Sequence, residues 1–216
     1  MDEFNKLVDI VEILRSEKGC AWDRAQKITN LKTHLLEEVY ELIDAIEGKN
    51  TGKIKEELGD LFLLLVFITR IFSEKSKFRI KDVLEIINNK LVSRHPHVFS
   101  SKKLKNKKDI LKHWIKSKAK VKKRKTVYER LPKSSPSLFL AYMLFREKIY
   151  LGEKITIKDL KKGIKESLGK LDLSARYRET VLEIILKLSE FSARSKLNLE
   201  LSLRRKIFRE ARKIEY

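Results

Sequence analysis

The stretch LLEEVYELIDAIEGKNTGKIKEELGDLF, residues 35 to 62, decides how the rest of the chain is read. It holds two carboxylate pairs, Glu38 with Glu41 and Glu57 with Asp60, each spaced i, i+3. On an α-helix that spacing puts both members on one face. Between the pairs, Gly48-Lys49-Asn50-Thr51-Gly52 is a strong turn signal, so the two helices are expected to double back as an antiparallel hairpin. Glu41 stands as far before the turn as Glu57 stands after it, and Glu38 and Asp60 match in the same way. Four carboxylates at matched heights repel one another and resist desolvation, which calls for a cation between them. An all-oxygen set without histidine suits Mg²⁺ or Mn²⁺, whereas ferritin-type iron bundles use Glu-x-x-His pairs. Glu37, Glu56 and Asp44 are close enough in sequence to assist. A solvated helix face is the competing reading of any single pair. Two pairs in register, set between Leu35-Leu36 and Leu61-Phe62, argue against it.

Working outward, the chain has 216 residues, 42% of them hydrophobic, with seven glycines and three prolines. So few helix breakers among so many helix formers predict an all-α helical bundle. Apolar spacing predicts a first helix over 3–17 through Leu7, Ile10, Val11 and Leu14, then a loop over 19–29 carrying Trp22. The hairpin helices are expected over 30–46, with Asn30 as N-cap, and 53–76. Leu61 to Ile68 is apolar on every side and is expected to be buried all round, in part at a subunit interface. A helix over 81–94 should stop at His95-Pro96, with His95 and His97 capping and packing the turn. Further helices are expected over 105–125, 138–149, 157–170, 175–194 and 199–213. Lys133-Ser134-Ser135-Pro136-Ser137 is the best linker candidate, dividing residues 1–130 from 131–216.

The net charge is +20, and Lys102 to Lys125 forms a dense basic block. A solvated lysine-rich helix is its default reading. Weak, non-specific nucleic-acid binding is the alternative, since phosphate contacts need only spaced cations and lysine outnumbers arginine there. A single cysteine, Cys20, suits a reducing cytoplasm. Met1-Asp2-Glu3 lacks the basic start of a signal peptide, and the Leu61–Ile68 stretch falls short of the roughly 20 apolar residues of a spanning helix, so a cytoplasmic protein without a membrane partner is expected.

Four motifs in order resemble the MazG family of all-α nucleoside triphosphate (NTP) pyrophosphatases. Glu37-Glu38-Val39-Tyr40-Glu41 followed by Glu56-Glu57-Leu58-Gly59-Asp60 is similar to its EExxE…ExxD signature. Gly19-Cys20-Ala21-Trp22-Asp23 resembles its GCPWD loop, with alanine for proline. Lys90-Leu91-Val92-Ser93-Arg94-His95-Pro96-His97-Val98-Phe99 looks like KLxRRHPHVF, with serine for the first arginine, and His113-Trp114 to Lys118 resembles the W-x-x-x-K helix. The resemblance runs from about residue 3 to 125. It implies hydrolysis of NTPs and dNTPs between the α and β phosphates, giving the monophosphate and pyrophosphate. Glu38, Glu41, Glu57 and Asp60 would hold Mg²⁺, with Mn²⁺ possible. Lys90, Arg94 and Lys118 would bind phosphate oxygens, and Trp114 and Trp22 would touch the nucleoside. Glu41 or Glu37 would orient or deprotonate the attacking water. A homodimer or higher homo-oligomer is implied as well.

The family often carries two tandem copies of the domain, and residues 131–216 resemble a degenerate second one, through Leu203 to Arg212. Its acidic motifs are gone: Glu166-Ser167-Leu168-Gly169 and Glu179-Thr180-Val181-Leu182 stand where carboxylate pairs are expected. A different function class therefore stays open, a catalytically weak relative acting as a basic nucleic-acid-binding or regulatory module.

Overall fold

The computed structural model describes residues 2–100, 106, 109–110, 113, 126–171 and 177–213. It divides into two compact units, Met1–Lys103 and Leu104–Tyr216. Among the described residues both are helical and neither contains a strand.

In the first unit α1 (Asp2–Leu14), α2 (Ala21–Ala25), α3 (Ile28–Glu47), α4 (Thr51–Glu74), α5 (Ile80–Arg94) and α6 (Pro96–Phe99) follow one another. The expected hairpin is its centre, with α3 lying along α4 and α1 packing on α4 from another side. Asn50 caps α4 by accepting from the Lys53 backbone N–H at 3.1 Å. Lys49, at φ 54°, supplies the left-handed residue of the turn. Val11, Leu31, Val66, Phe67 and Ile71 form the buried core. Each stabilises the unit by about 1.5–3 kcal/mol relative to staying exposed. This cluster lies in the half of the α3–α4 pair remote from the turn, and nearer the turn the buried residues are Ala45 and Glu57. Of the predicted all-round burial of Leu61–Ile68, Val66 and Phe67 are buried, but Phe62 and Leu65 are 51% and 52% exposed within this chain. On that side Phe4 of α1 meets the Phe62 ring edge to face at 6.5 Å and leaves about half of Phe62 exposed.

Helix boundaries shift where backbone geometry overrides periodicity. The first helix ends at Leu14, three residues early, because Gly19 folds back over its last turn; a Cβ there would collide with the carbonyl oxygens of Ile13 and Leu14. Asn30 is not the N-cap of α3. Lys27, extended at φ −117°, takes that place, and Asn30 lies inside the first turn. The expected loop contains α2, anchored from outside. Arg15, its side chain 7% exposed, donates to the Asp23 carbonyl at 2.6 Å and holds Glu74 bidentately at 2.8 Å in both bonds. It also lies 5.1 Å over the Phe67 ring. The break before Pro96 is as expected, and His95 caps α5 through Nδ1, 2.8 Å from the Leu91 carbonyl oxygen.

The second unit contains a 3-10 turn (Tyr128–Arg130), α7 (Ser137–Tyr150), α8 (Ile157–Gly169), α9 (Tyr177–Arg194) and α10 (Leu199–Ala211). The predicted helix over 105–125 lies largely outside the described residues. Here α9 is central, with α7, α8 and α10 packed on it, as α1, α3 and α5 pack on α4. Both central helices close on a left-handed residue, Ser76 and Lys196, whose successor donates to the carbonyl five positions back. Buried hydroxyls bond back along both helices, Thr69 to the Leu65 carbonyl and Ser189 to the Ile185 carbonyl, each at 2.8 Å. An ion pair ties the last residue of each central helix to the chain leaving its first packed helix, with the signs exchanged. Glu74 on α4 meets Arg15 after α1, whereas Arg194 on α9 meets Glu153 after α7 at 3.1 Å.

Candidate functional site

The hairpin brings Glu38, Glu41 and Glu57 together: one carboxylate oxygen from each lies within 4.8 Å of the others. Glu57 is buried at 8% exposure, Glu38 is half-buried and Glu41 is exposed, so the cluster opens to solvent on the α3 side. Asp60, one turn further along α4, is outside that 4.8 Å set. Its charge still reaches Glu38 and Glu57 and helps to raise both.

The electrostatics are those of a site lacking its counter-charge. Burial pushes the Glu38 carboxyl above its ordinary value, and the charges of Asp60, Glu41, Glu57 and Glu37 push it further. Glu57 is raised first by burial and then by Glu41, Glu56 and Asp60, with Lys53 alone opposing. Among the described residues no lysine or arginine forms an ion pair with Glu38, Glu41 or Glu57. Converging, desolvated, unpaired oxygens fit a hard divalent cation, for which acidic oxygen sites are the normal home. A cavity of about 410 Å³ adjoins the cluster, lined by Glu41, Asp44, Asn50, Lys53 and Glu57. Periodicity could not show it, because Asn50 and Lys53 read only as turn residues.

The other predicted residues lie elsewhere in the unit. Lys90 and Arg94 are i, i+4 near the end of α5, both half-buried. Trp22 sits on α2, 65% exposed. Trp114 and Lys118 lie outside the described residues. Glu37 turns aside from the cluster to His34 Nδ1, at 3.0 Å. In the second unit, the space between α8 and α9 contains Lys187 instead of a carboxylate cluster. Its ammonium donates to Ser167 Oγ at 2.7 Å and to the Gly163 carbonyl at 3.2 Å, and pairs with Glu183 at 2.8 Å. Glu166 and Glu179 are exposed there.

Residues 26–99 match the MazG nucleotide pyrophosphohydrolase domain. The chain is 53% identical over 96 residues to the nucleoside triphosphate pyrophosphohydrolase/pyrophosphatase MazG of Thermotoga maritima, covering 44% of this chain and 38% of that protein. To the nucleoside triphosphate pyrophosphohydrolase of Escherichia coli K12 it is 34% identical over 145 residues, 65% of this chain and 55% of the relative. An uncharacterized 26.1 kDa protein of Streptomyces cacaoi is 39% identical over 143 residues, 64% and 59% of the two chains. In each case the chain spans less than two thirds of the relative's length. The matched segment holds the whole hairpin and its carboxylates, and over that segment this chain is similar to the MazG nucleotide pyrophosphohydrolases.

Proposed function

We propose that this protein hydrolyses nucleoside triphosphates to the monophosphate and pyrophosphate in a metal-dependent reaction, with Glu38, Glu41, Glu57 and Asp60 holding Mg²⁺ or Mn²⁺. The observation that carries this reading is the convergence of three unpaired carboxylate oxygens within 4.8 Å, in the segment that matches the family. The bound ion would supply charge neutralisation at the phosphates and a more acidic water. Lys90, Arg94 and Lys118 would bind phosphate oxygens and offset the charge that builds on the leaving pyrophosphate. Glu41, the exposed member of the cluster, or Glu37 would take a proton from the attacking water. The water oxygen bonds to the α-phosphorus as the α–β bridge breaks, and pyrophosphate leaves with the electron pair. Trp22 and Trp114 would stack on or flank the nucleoside.

Two further readings belong with this one. A second copy of the chain would cover Leu58, Phe62 and Leu65, an exposed apolar stripe at i, i+4, i+7 on α4. Gly59 lies beside that stripe, and a Cβ there would meet nothing within 4 Å, so nothing in this chain calls for its small size. Residues 131–216 would be a degenerate repeat serving as scaffold, with Lys187 supplying a cation between two of its helices. Among the described residues no helix is long and apolar enough to cross a membrane, and the unpaired Cys20 agrees with a cytoplasmic setting.

The test is product analysis with each common NTP and dNTP, with and without Mg²⁺. Magnesium-dependent monophosphate and pyrophosphate, lost in Glu57→Ala and kept in Glu179→Ala, is the expected result. Diphosphate plus phosphate would refute the bond assignment, and absence of turnover with every nucleotide would refute the enzyme.

A further inference from the structure

The net charge of +20 is not a property of the whole chain. Residues 1–103 carry 18 basic and 17 acidic side chains, a net charge of +1, whereas residues 104–216 carry 32 and 13, a net charge of +19. A compositional habit would spread over both units. Of that +19, residues 104–125 hold 11 basic and 1 acidic side chains, +10, and residues 126–216 hold 21 and 12, +9, so a cation excess extends beyond the basic block into the helices that follow it.

Within the second unit, α8 shows how the charge is displayed. Lys158, Lys161, Lys162 and Lys165 fall at i, i+3, i+4 and i+7, within one stripe about 10 Å long, and all four are exposed. Leu160 and Ser167 are buried on the opposite side, where α9 packs. Lys162 is 3.9 Å from Glu166, with its side chain 80% exposed, and Asp159, beside Lys158, is engaged in capping α8 through Thr156. Among the described residues Lys161 and Lys165 form no ion pair. Four exposed ammonium groups in a row on one helix repel one another, and a linear array of phosphates relieves that repulsion.

We infer that the second unit is a nucleic-acid-binding surface, additional to the hydrolytic site, in which the α8 lysine stripe contacts the phosphodiester backbone without reading sequence. Point-like ammonium groups suit phosphate contact, and base readout relies on side chains that reach base edges. A bilayer fits this face less well, because a membrane-bound helix inserts an apolar side and the apolar side of α8 is already used against α9. With three or four phosphates neutralised, log K against log[salt] should fall with a slope of about −3 on duplex DNA.

The experiment measures fluorescence anisotropy of the full chain with a labelled 20-base-pair DNA duplex and a 20-nucleotide RNA, from 50 to 300 mM salt. Wild type is compared with a Lys158→Gln, Lys161→Gln, Lys162→Gln, Lys165→Gln variant. The control, Lys6→Gln, Lys32→Gln, Lys55→Gln, Lys75→Gln, loses the same charge from the first unit. Binding weakened about 10- to 100-fold and with a shallower salt slope in the α8 variant alone, with nucleotide hydrolysis unchanged, is expected. A Lys161→Gln, Lys165→Gln variant should show an intermediate loss, which separates binding from misfolding. Equal loss in both four-site variants, salt-insensitive binding, or no binding to either probe at 50 mM salt would overturn the inference. So would capture by phosphatidylserine vesicles without binding to either nucleic acid. Since the binding measurements themselves do not use the carboxylate site, an inactive hydrolase would leave the inference standing.

Discussion

Replacing Arg15 with methionine should unfold the first unit far more easily than its position at the end of a short helix suggests. The guanidinium is almost wholly buried, holds Glu74 in two 2.8 Å bonds and donates to the carbonyl of Asp23, and it lies over Phe67. Methionine keeps most of the apolar volume while removing every donor. Breaking a buried pair from one side costs ~3–5 kcal/mol. Glu74 is 32% exposed and can recover part of its hydration, so the lower end applies, about 3 kcal/mol. For a unit of this size that corresponds to a fall in Tm of roughly 12–20 °C. Urea denaturation followed by circular dichroism, with calorimetry to separate the two units, measures it. Arg15→Lys should recover little, since a single ammonium cannot span both carboxylate oxygens and the Asp23 carbonyl. The reasoning also fixes a pH dependence. Glu74 is held below its ordinary value of 4.5, first by the Arg15 hydrogen bond and despite burial, with help from Arg70. Its contribution is therefore complete above that value and fades as pH falls through the lowered one. The gap between wild type and Arg15→Met should narrow only in that acid range. A loss under about 1 kcal/mol, the scale of an exposed pair, or a gap that narrows already near neutrality, would refute it.

Further outcomes follow from the carboxylate cluster and the second unit. Wild type at a hundredfold excess of Mg²⁺ over its Kd should gain ~2.7 kcal/mol; Glu57→Gln should lose that gain in differential scanning fluorimetry, yet unfold later than wild type in EDTA, because a repelling charge is gone. Because Glu38 and Glu57 are raised, what these two groups contribute to the stability of the metal-free protein should be complete below the ordinary carboxylate value of 4.5 and be lost as pH rises through the raised values, a difference that Glu38→Gln, Glu57→Gln removes. Metal affinity, read by calorimetry, should run the other way and begin to fall on acidification while pH is still above 4.5, since protons then compete for the same oxygens. Lys187→Met should leave the buried Ser167 hydroxyl without its donor and lower stability of the second unit by about 1–3 kcal/mol, with hydrolysis unaffected.

Most of this fold was legible because helices are local. The spacing of Leu7, Val11 and Leu14, or of the two carboxylate pairs about a glycine-bounded turn, needs no knowledge of the rest of the chain. Matched distances from the turn were enough to bring Glu38, Glu41 and Glu57 together. Illegible features depend on contacts distant in sequence. The helix at Ala21–Ala25 is held by a guanidinium eight residues upstream of Asp23, and the early end of α1 is set by the close return of Gly19. Asn30 offered a capping side chain, but the backbone turns into the helix three residues before it. The exposed half of Leu61–Ile68 shows the limit of composition, since an apolar run records that something covers it and not what does. Lys187 gave no signal either, because one lysine in a basic sequence cannot announce that it lies between two helices.

The exchanged signs of the two helix-end locks have a consequence for assembly. Two units that each pack helices on a central one invite mispairing, in which the first helix of one closes onto the central helix of the other. Here that error would set Arg15 against Arg194 and Glu153 against Glu74. Both arginines are almost fully buried in their own units, at 7% and 11% side-chain exposure. A like-charge meeting there forfeits the Arg15–Glu74 and Arg194–Glu153 pairs and leaves Arg15 without a carboxylate while Arg194 keeps only Glu190, which disfavours the wrong product. The same logic extends to two copies of the chain that might trade first helices between unlike units. Polarity thus distinguishes the two helix-end pairs, one for each unit.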